Sequence, residues 1–165
     1  MKKAAIVMGS DSDLKVMQGA IETLKAFDVP FCVRILSAHR TPQAAAAFAA
    51  SAQEDGYGVI IAAAGKAAHL AGAMAANTLL PVVGVPMKSS TLDGLDALLS
   101  TVQMPSGMPV ATVAIDGAVN AALLAVQMIA LSDGALYERL KAWRQAQTEK
   151  VLAKDAAISA EYSKQ

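Results

Sequence analysis

Ala4-Ala5-Ile6-Val7-Met8-Gly9-Ser10-Asp11-Ser12-Asp13, running on into Leu14–Phe27, reads as a strand, a short polar turn and a helix in direct succession. Ala4–Met8 is an unbroken apolar run, the mark of a strand covered on both faces. Gly9 to Asp13 are small and polar, so the chain turns there. Leu14, Met17, Ile21 and Leu24 then recur at helical spacing and form one apolar stripe. The same alternation continues outward. Phe31–Leu36 is a second strand after Pro30. Thr41-Pro42 opens a second helix, with Thr as N-cap and Pro at the first helical position. That helix runs to about Asp55, and Gly56 stops it. Gly58–Ala63, Pro81–Val85 and Val110–Ile115 read as further strands. Lys66–Asn77, Leu92–Val102 and Ala118–Leu131 read as helices.

Strands alternating with helices form a parallel sheet with helices on both faces. The expected fold is therefore α/β: one domain over 1–165, a three-layer αβα sandwich with a flavodoxin-like or Rossmann-like parallel sheet. The core sandwich spans 1–132 and a C-terminal helical extension spans 133–165. Ser132-Asp133 can cap that last helix, which runs from about Ala135 to beyond Val151. Leu136, Leu140, Trp143 and Val151 fall on one face, so the helix has to dock on its own domain or on a neighbour.

The composition excludes several classes. The chain has 165 residues, with 14 basic and 14 acidic, and 55% are hydrophobic. A zero balance argues against a nucleic-acid partner, which needs excess Lys and Arg. The single Cys32 cannot form an internal disulfide or anchor a cysteine metal site, so a reducing cytoplasm is the expected home. The basic start at Met1-Lys2-Lys3 leads into an apolar run too short for a secretory signal. Ala67–Met87 lacks Lys, Arg, Asp and Glu and is long enough to span a bilayer. Gly72, Pro81, Gly84 and Pro86 divide it, so a buried helix, turn and strand fit better than a membrane span. Alanine supplies 36 residues and aromatics seven. Each alanine removes little area from water, so the fold needs either very close backbone packing or further burial against other subunits.

In open parallel sheets ligands sit beyond the carboxyl ends of the strands. Four such ends carry polar chemistry: Gly9 to Asp13, Ser37 to Arg40, Ala63 to Lys66, and Val85 to Lys88. Gly9, Ser10 and Ser12 before a helix suit a phosphate, and Asp13 suits ribose hydroxyls. The competing reading is an ordinary helix start capped by Ser10 or Ser12. Arg40 is a natural phosphate clamp, and His39 is the residue type best suited to give and take a proton. His69, on an alanine-rich helix, is more often a packing residue than a catalyst. No short His and acid spacing supports a metal site, and no Gly-x-Ser-x-Gly elbow supports a serine nucleophile. Ala62–Ala68 reads either as tight helix-on-sheet packing or as a small dry cavity of methyls and backbone N–H groups.

These motifs resemble a known family. Met-Gly-Ser-Asp-Ser-Asp at 8–13, Ser-Ala-His-Arg-Thr-Pro at 37–42, Ala-Ala-His-Leu at 67–70, Pro-Val-Val-Gly-Val-Pro at 81–86 and Ser-Thr-Val-Gln-Met-Pro-Ser-Gly at 100–107 occur in its order. So do Asn-Ala-Ala-Leu-Leu-Ala at 120–125 and Trp-Arg-Gln-Ala-Gln-Thr at 143–148. Together they are similar to the N5-carboxyaminoimidazole ribonucleotide mutases, catalytic subunits of bacterial phosphoribosylaminoimidazole carboxylase in purine synthesis. The likeness extends to about Val151. It implies a flavodoxin-like homo-octamer whose C-terminal helix reaches onto a neighbouring subunit. It implies transfer of a carboxylate from N5 to C4 of an aminoimidazole ribonucleotide, with no cofactor and no metal. The carbamate-forming synthetase that supplies the substrate is the implied functional partner. By motif position, Ser10, Asp13 and Arg40 bind the ribose phosphate, with Ser12 and Ser37 helping. His39 transfers the proton, and Ala64, Gly65 and His69 border the base and the carboxylate. The chain departs from the family pattern at Ala63 and Lys66, where glycine is usual, and at Ala71, where proline is usual. A related animal branch uses carbon dioxide directly and tends to carry Lys at the position of Arg40. Arg40 together with Ala-Ala-His-Leu favours the mutase branch over that direct carboxylase. A third reading is a nucleotide- or phosphate-binding module without chemistry, which would not need His39. A fourth, a purely structural assembly protein, would not need to bind the nucleotide at all.

Overall fold

A computed structural model describes residues 1–163, so the last two residues of the expected extension lie outside the described residues. Five strands form one sheet: β1 (Lys3–Met8), β2 (Phe31–Ile35), β3 (Tyr57–Gly65), β4 (Val82–Met87) and β5 (Ala111–Thr112). Their spatial order is β2-β1-β3-β4-β5, and every neighbouring pair is parallel. This is the flavodoxin-like order, with its switch point between β1 and β3. Six helices cover it: α1 (Leu14–Ala26), α2 (Pro42–Ser51), α3 (Leu70–Ala75), α4 (Leu95–Val102), α5 (Ala118–Ala130) and α6 (Gly134–Tyr162).

Side chains on a strand alternate between faces. Ala4, Ile6, Met8, Val59, Ile61, Ala63, Val83 and Val85 point to the face covered by α1, α5 and the start of α6. Ala5, Val7, Ile60, Ala62 and Val82 point to the face covered by α2 and α3. The three-layer sandwich follows from that alternation. Ala67–Met87 holds α3 and β4, and no helix among the described residues is long and apolar enough to cross a membrane.

The alanines and glycines allow close approach. A Cβ on Gly19 of α1 would lie 3.0 Å from Val119 Cγ2 of α5. Ala118, Ala121, Ala122 and Ala125 of α5 are all buried within this chain. The all-round apolar character of α5 is thus satisfied largely inside the domain.

Four elements differ from the sequence reading, the first being the second helix, which ends at Ser51 rather than near Asp55. The third helix starts at Leu70, not Lys66, because Lys66 adopts a left-handed φ of 56° that no helix admits. Leu92–Val102 is not one helix. Leu92, Asp93 and Gly94 all have positive φ and form a separate short turn before α4. The fifth strand keeps only two paired residues at the sheet edge.

Helix α6 is longer than its docking face. Asp133 caps it, its carboxylate accepting the Leu136 N–H at 3.0 Å. Leu136 and Leu140 are buried, and Trp143 meets Phe27 with ring centroids 6.0 Å apart. Arg139 donates to the Phe27 carbonyl at 3.2 Å. Val151, on the same expected stripe, is 66% exposed, so the second half of the helix leaves its own domain. Asp133→Ala removes the cap and lowers unfolding stability by about 1 kcal/mol. Chemical denaturation would read this as a lower midpoint at unchanged slope.

Candidate active site

The carboxyl ends of β1, β2, β3 and β4 enclose one cleft of about 630 Å³. Each terminus contributes through its following loop. Met8 pairs with Ile35 on one side and Ala63 on the other, so the three loops after them start level. Ser10, Ser12, Asp13, Ser37, His39, Arg40, Ala64, Gly65 and His69 all line this cleft. Every residue singled out from the sequence is therefore brought to one place.

The β1 loop carries both of its readings at once. Ser10 is extended (φ −152°) and its hydroxyl accepts the Ser12 N–H at 3.3 Å, capping the short turn Asp11–Asp13. The same turn presents Ser12 and Asp13 to the cleft. Burial pushes the Asp13 carboxyl above its ordinary value, outweighing the hydrogen bonds from Ser12 and at Ser10 that lower it. A ligand hydroxyl donating to Asp13 would relieve that desolvation. A Cβ on Gly9 would meet nothing closer than 3.8 Å, so the protein itself does not demand glycine there. Any such demand comes from a ligand approaching the backbone.

The β2 loop is held by its own side chains. Thr41 does not cap α2 with its hydroxyl. It accepts the Ser37 N–H at 2.9 Å instead. Ser37 in turn accepts the Arg40 N–H at 3.1 Å. Arg40 Nη2 donates to the Gly9 carbonyl at 2.7 Å, which ties the β2 loop to the β1 loop. The guanidinium therefore sits beside Ser10 with donors to spare.

His39 and His69 are bonded to each other. His39 Nε2 lies 2.9 Å from His69 Nδ1, and the rings meet edge to face with centroids 5.0 Å apart. One nitrogen must donate and the other accept. His69 is exposed, at the edge of the cleft, so the packing role that an alanine-rich helix suggested does not hold. Nothing in the sequence spacing links two histidines 30 positions apart, and only the crossover from β2 to β3 brings them together.

The alanine run splits between its two readings. Ala62, Ala63 and Ala68 are buried in helix-on-sheet packing, while Ala64 and Ala67 line the cleft with Gly65. The sequence reading stopped at Lys88 on β4. Ser89 and Ser90 also line the site, and two serines directly after a strand's carboxyl end were the available signal. Asp116 was missed as well. In a left-handed conformation, its carboxylate accepts the Lys88 N–H at 2.9 Å and fixes the end of β4. Among the described residues no group of three or more His, Cys, Asp or Glu could hold a metal ion.

Residues 3–150 match the sequence profile described as AIR carboxylase. The chain belongs to that family. Within it, the Escherichia coli protein named N5-carboxyaminoimidazole ribonucleotide mutase is 56% identical over 152 residues, which are 91% of this chain and 90% of that protein. The Mycobacterium tuberculosis protein of the same name is 53% identical over 94% of this chain and 90% of its own length. The chloroplastic phosphoribosylaminoimidazole carboxylase of Vigna aconitifolia is 58% identical over 146 residues, and the chain spans 26% of that protein's length. The crystal structure of Treponema denticola PurE superposes with a TM-score of 0.84 at 28% identity, covering 93% of this chain and 96% of that one. The AIR carboxylase fold and this cleft thus coincide in one chain.

Proposed function

We propose that this AIR carboxylase family member is an isomerase of purine synthesis. It interconverts N5-carboxyaminoimidazole ribonucleotide and 4-carboxy-5-aminoimidazole ribonucleotide. The observation that carries the reading is His39, held against His69 at the rim of a cleft that also contains the Ser10, Asp13 and Arg40 phosphate and ribose cradle. The relatives named for this mutase support it.

The chemistry needs one travelling proton. His39 gives a proton to N5 of the carbamate. The C–N bond breaks and its electron pair stays on nitrogen, which releases carbon dioxide. The enamine-like C4 attacks the trapped carbon dioxide through the ring electrons and forms the new C–C bond. The C4 proton then returns to His39, so the residue ends as it began. Arg40 and Ser10 take the phosphate, with Ser12 and Ser37 beside them, and Asp13 takes ribose hydroxyls. Fixing the nucleotide this way makes recapture of carbon dioxide effectively intramolecular. Ala64, Gly65 and His69 border the carboxylate.

His39 and Arg40 are exposed in the single chain, yet recapture requires a dry site. The protein acts as a homo-oligomer, an octamer, in which neighbours cover the cleft and receive the free half of α6. The free Cys32 fits a reducing cytoplasm. The upstream partner is the synthetase that makes the carbamate.

The deciding assay offers N5-carboxyaminoimidazole ribonucleotide and, separately, aminoimidazole ribonucleotide with bicarbonate. The mutase reading expects fast conversion of the first and little of the second at physiological bicarbonate. Faster conversion of the second would instead establish the direct carboxylase.

A further inference from the structure

Three cationic side chains line the cleft: Arg40, Lys66 and Lys88. Two are committed. Arg40 bonds the Gly9 carbonyl at 2.7 Å, and Lys88 Nζ pairs with Asp93 at 3.1 Å. The Lys66 side chain makes no hydrogen bond or ion pair among the described residues. Its backbone is strained as well, with φ at 56°. A left-handed non-glycine residue is unfavourable and persists at functional sites when the surroundings over-determine it. Ala68 and His69 close tight turns onto the Lys66 and Ala67 carbonyls at 2.8 and 2.9 Å. The loop therefore keeps a long cation where glycine would relax it.

Position supplies the role. The phosphate cradle lies over β1 and β2, at one flank of the cleft. Lys66 follows Gly65 at the end of β3, the strand between β1 and β4, so it enters the cleft from a different strand end than the cradle. A carboxylated aminoimidazole ribonucleotide carries two anions, one at each end. We propose that Lys66 is a binding residue for the carboxylate of that nucleotide, a specificity determinant that separates carboxylated from uncarboxylated ligand. This rests on the nucleotide reading of the cleft given above.

The test is calorimetric. Affinities of wild type, Lys66→Gly and Lys66→Arg are measured for 4-carboxy-5-aminoimidazole ribonucleotide and for 5-aminoimidazole ribonucleotide. A charge-assisted contact predicts that Lys66→Gly weakens the carboxylated ligand by about tenfold, or about 1.4 kcal/mol. The uncarboxylated ligand changes by less than about twofold, within ordinary scatter of a distant charge. Lys66→Arg retains most of the discrimination. Lys66→Gly melts no lower than wild type, since glycine accepts this φ, so a lost affinity is not a lost fold. Equal weakening of both ligands, or no weakening of the carboxylated one, overturns the proposal. Wild-type protein that binds neither nucleotide overturns the nucleotide reading, and this inference with it.

Discussion

His39→Asn lowers interconversion of the two carboxylated nucleotides by about 10²–10⁴-fold, the usual contribution of a positioned general acid and base. Asparagine is close in shape and keeps a hydrogen-bonding group for His69 Nδ1, which lies 2.9 Å from His39 Nε2. It cannot accept and return a proton. Nucleotide affinity stays within a few-fold of wild type, because Ser10, Asp13 and Arg40 are untouched. Coupled assays of turnover with parallel binding measurements separate the two quantities. A variant that binds nucleotide and turns over at the wild-type rate would remove His39 from the chemistry and leave only a binding module.

Gly84→Val produces a large loss of stability. Gly84 lies within β4, on the face that α4 covers. A Cβ there would stand 2.5 Å from Thr101 Cγ2, 2.9 Å from Val110 Cγ1 and 3.3 Å from Ala71 Cβ. Thr101 cannot simply rotate away. It is buried, and its hydroxyl donates to the Ala97 carbonyl at 2.7 Å. The helix must move off the sheet, at about 3 kcal/mol or more. For a chain of this size the melting midpoint falls by about 6–12 °C. The Lys88–Ser90 wall of the cleft lies between β4 and α4, so nucleotide affinity falls too. A variant melting within about 2 °C of wild type would contradict the packing described.

The sheet was legible because unbroken apolar runs such as Ala4–Met8 and Gly58–Ala63 have no exposed face to confuse the period. The site was legible because polar residues ended those runs: Ser10, His39 and Lys66 each follow a strand. What escaped was conformation without a compositional signal. Leu92 and Asp93 are ordinary residues in a left-handed turn, so an apolar helix pattern ran straight across them. His69 reads from the sequence as a packing residue because its pairing with His39 is a long-range fact. Val151 fits a stripe perfectly well in sequence, but the domain surface ends before it. Periodicity tells which face of a helix is apolar, not what lies opposite.

The strand order has a consequence for how the molecule comes into being. In β2-β1-β3-β4-β5 no two neighbours are joined by a hairpin, and β1 meets β3 only after the whole of β2 and α2. Each pairing must close a long segment before it gains anything, which slows folding relative to local contacts. The cleft takes its walls from Gly9 through Ser90, so about half the chain has to be in place before its ligand can bind. Nucleotide can therefore stabilise the finished protein, but it cannot guide the nascent one.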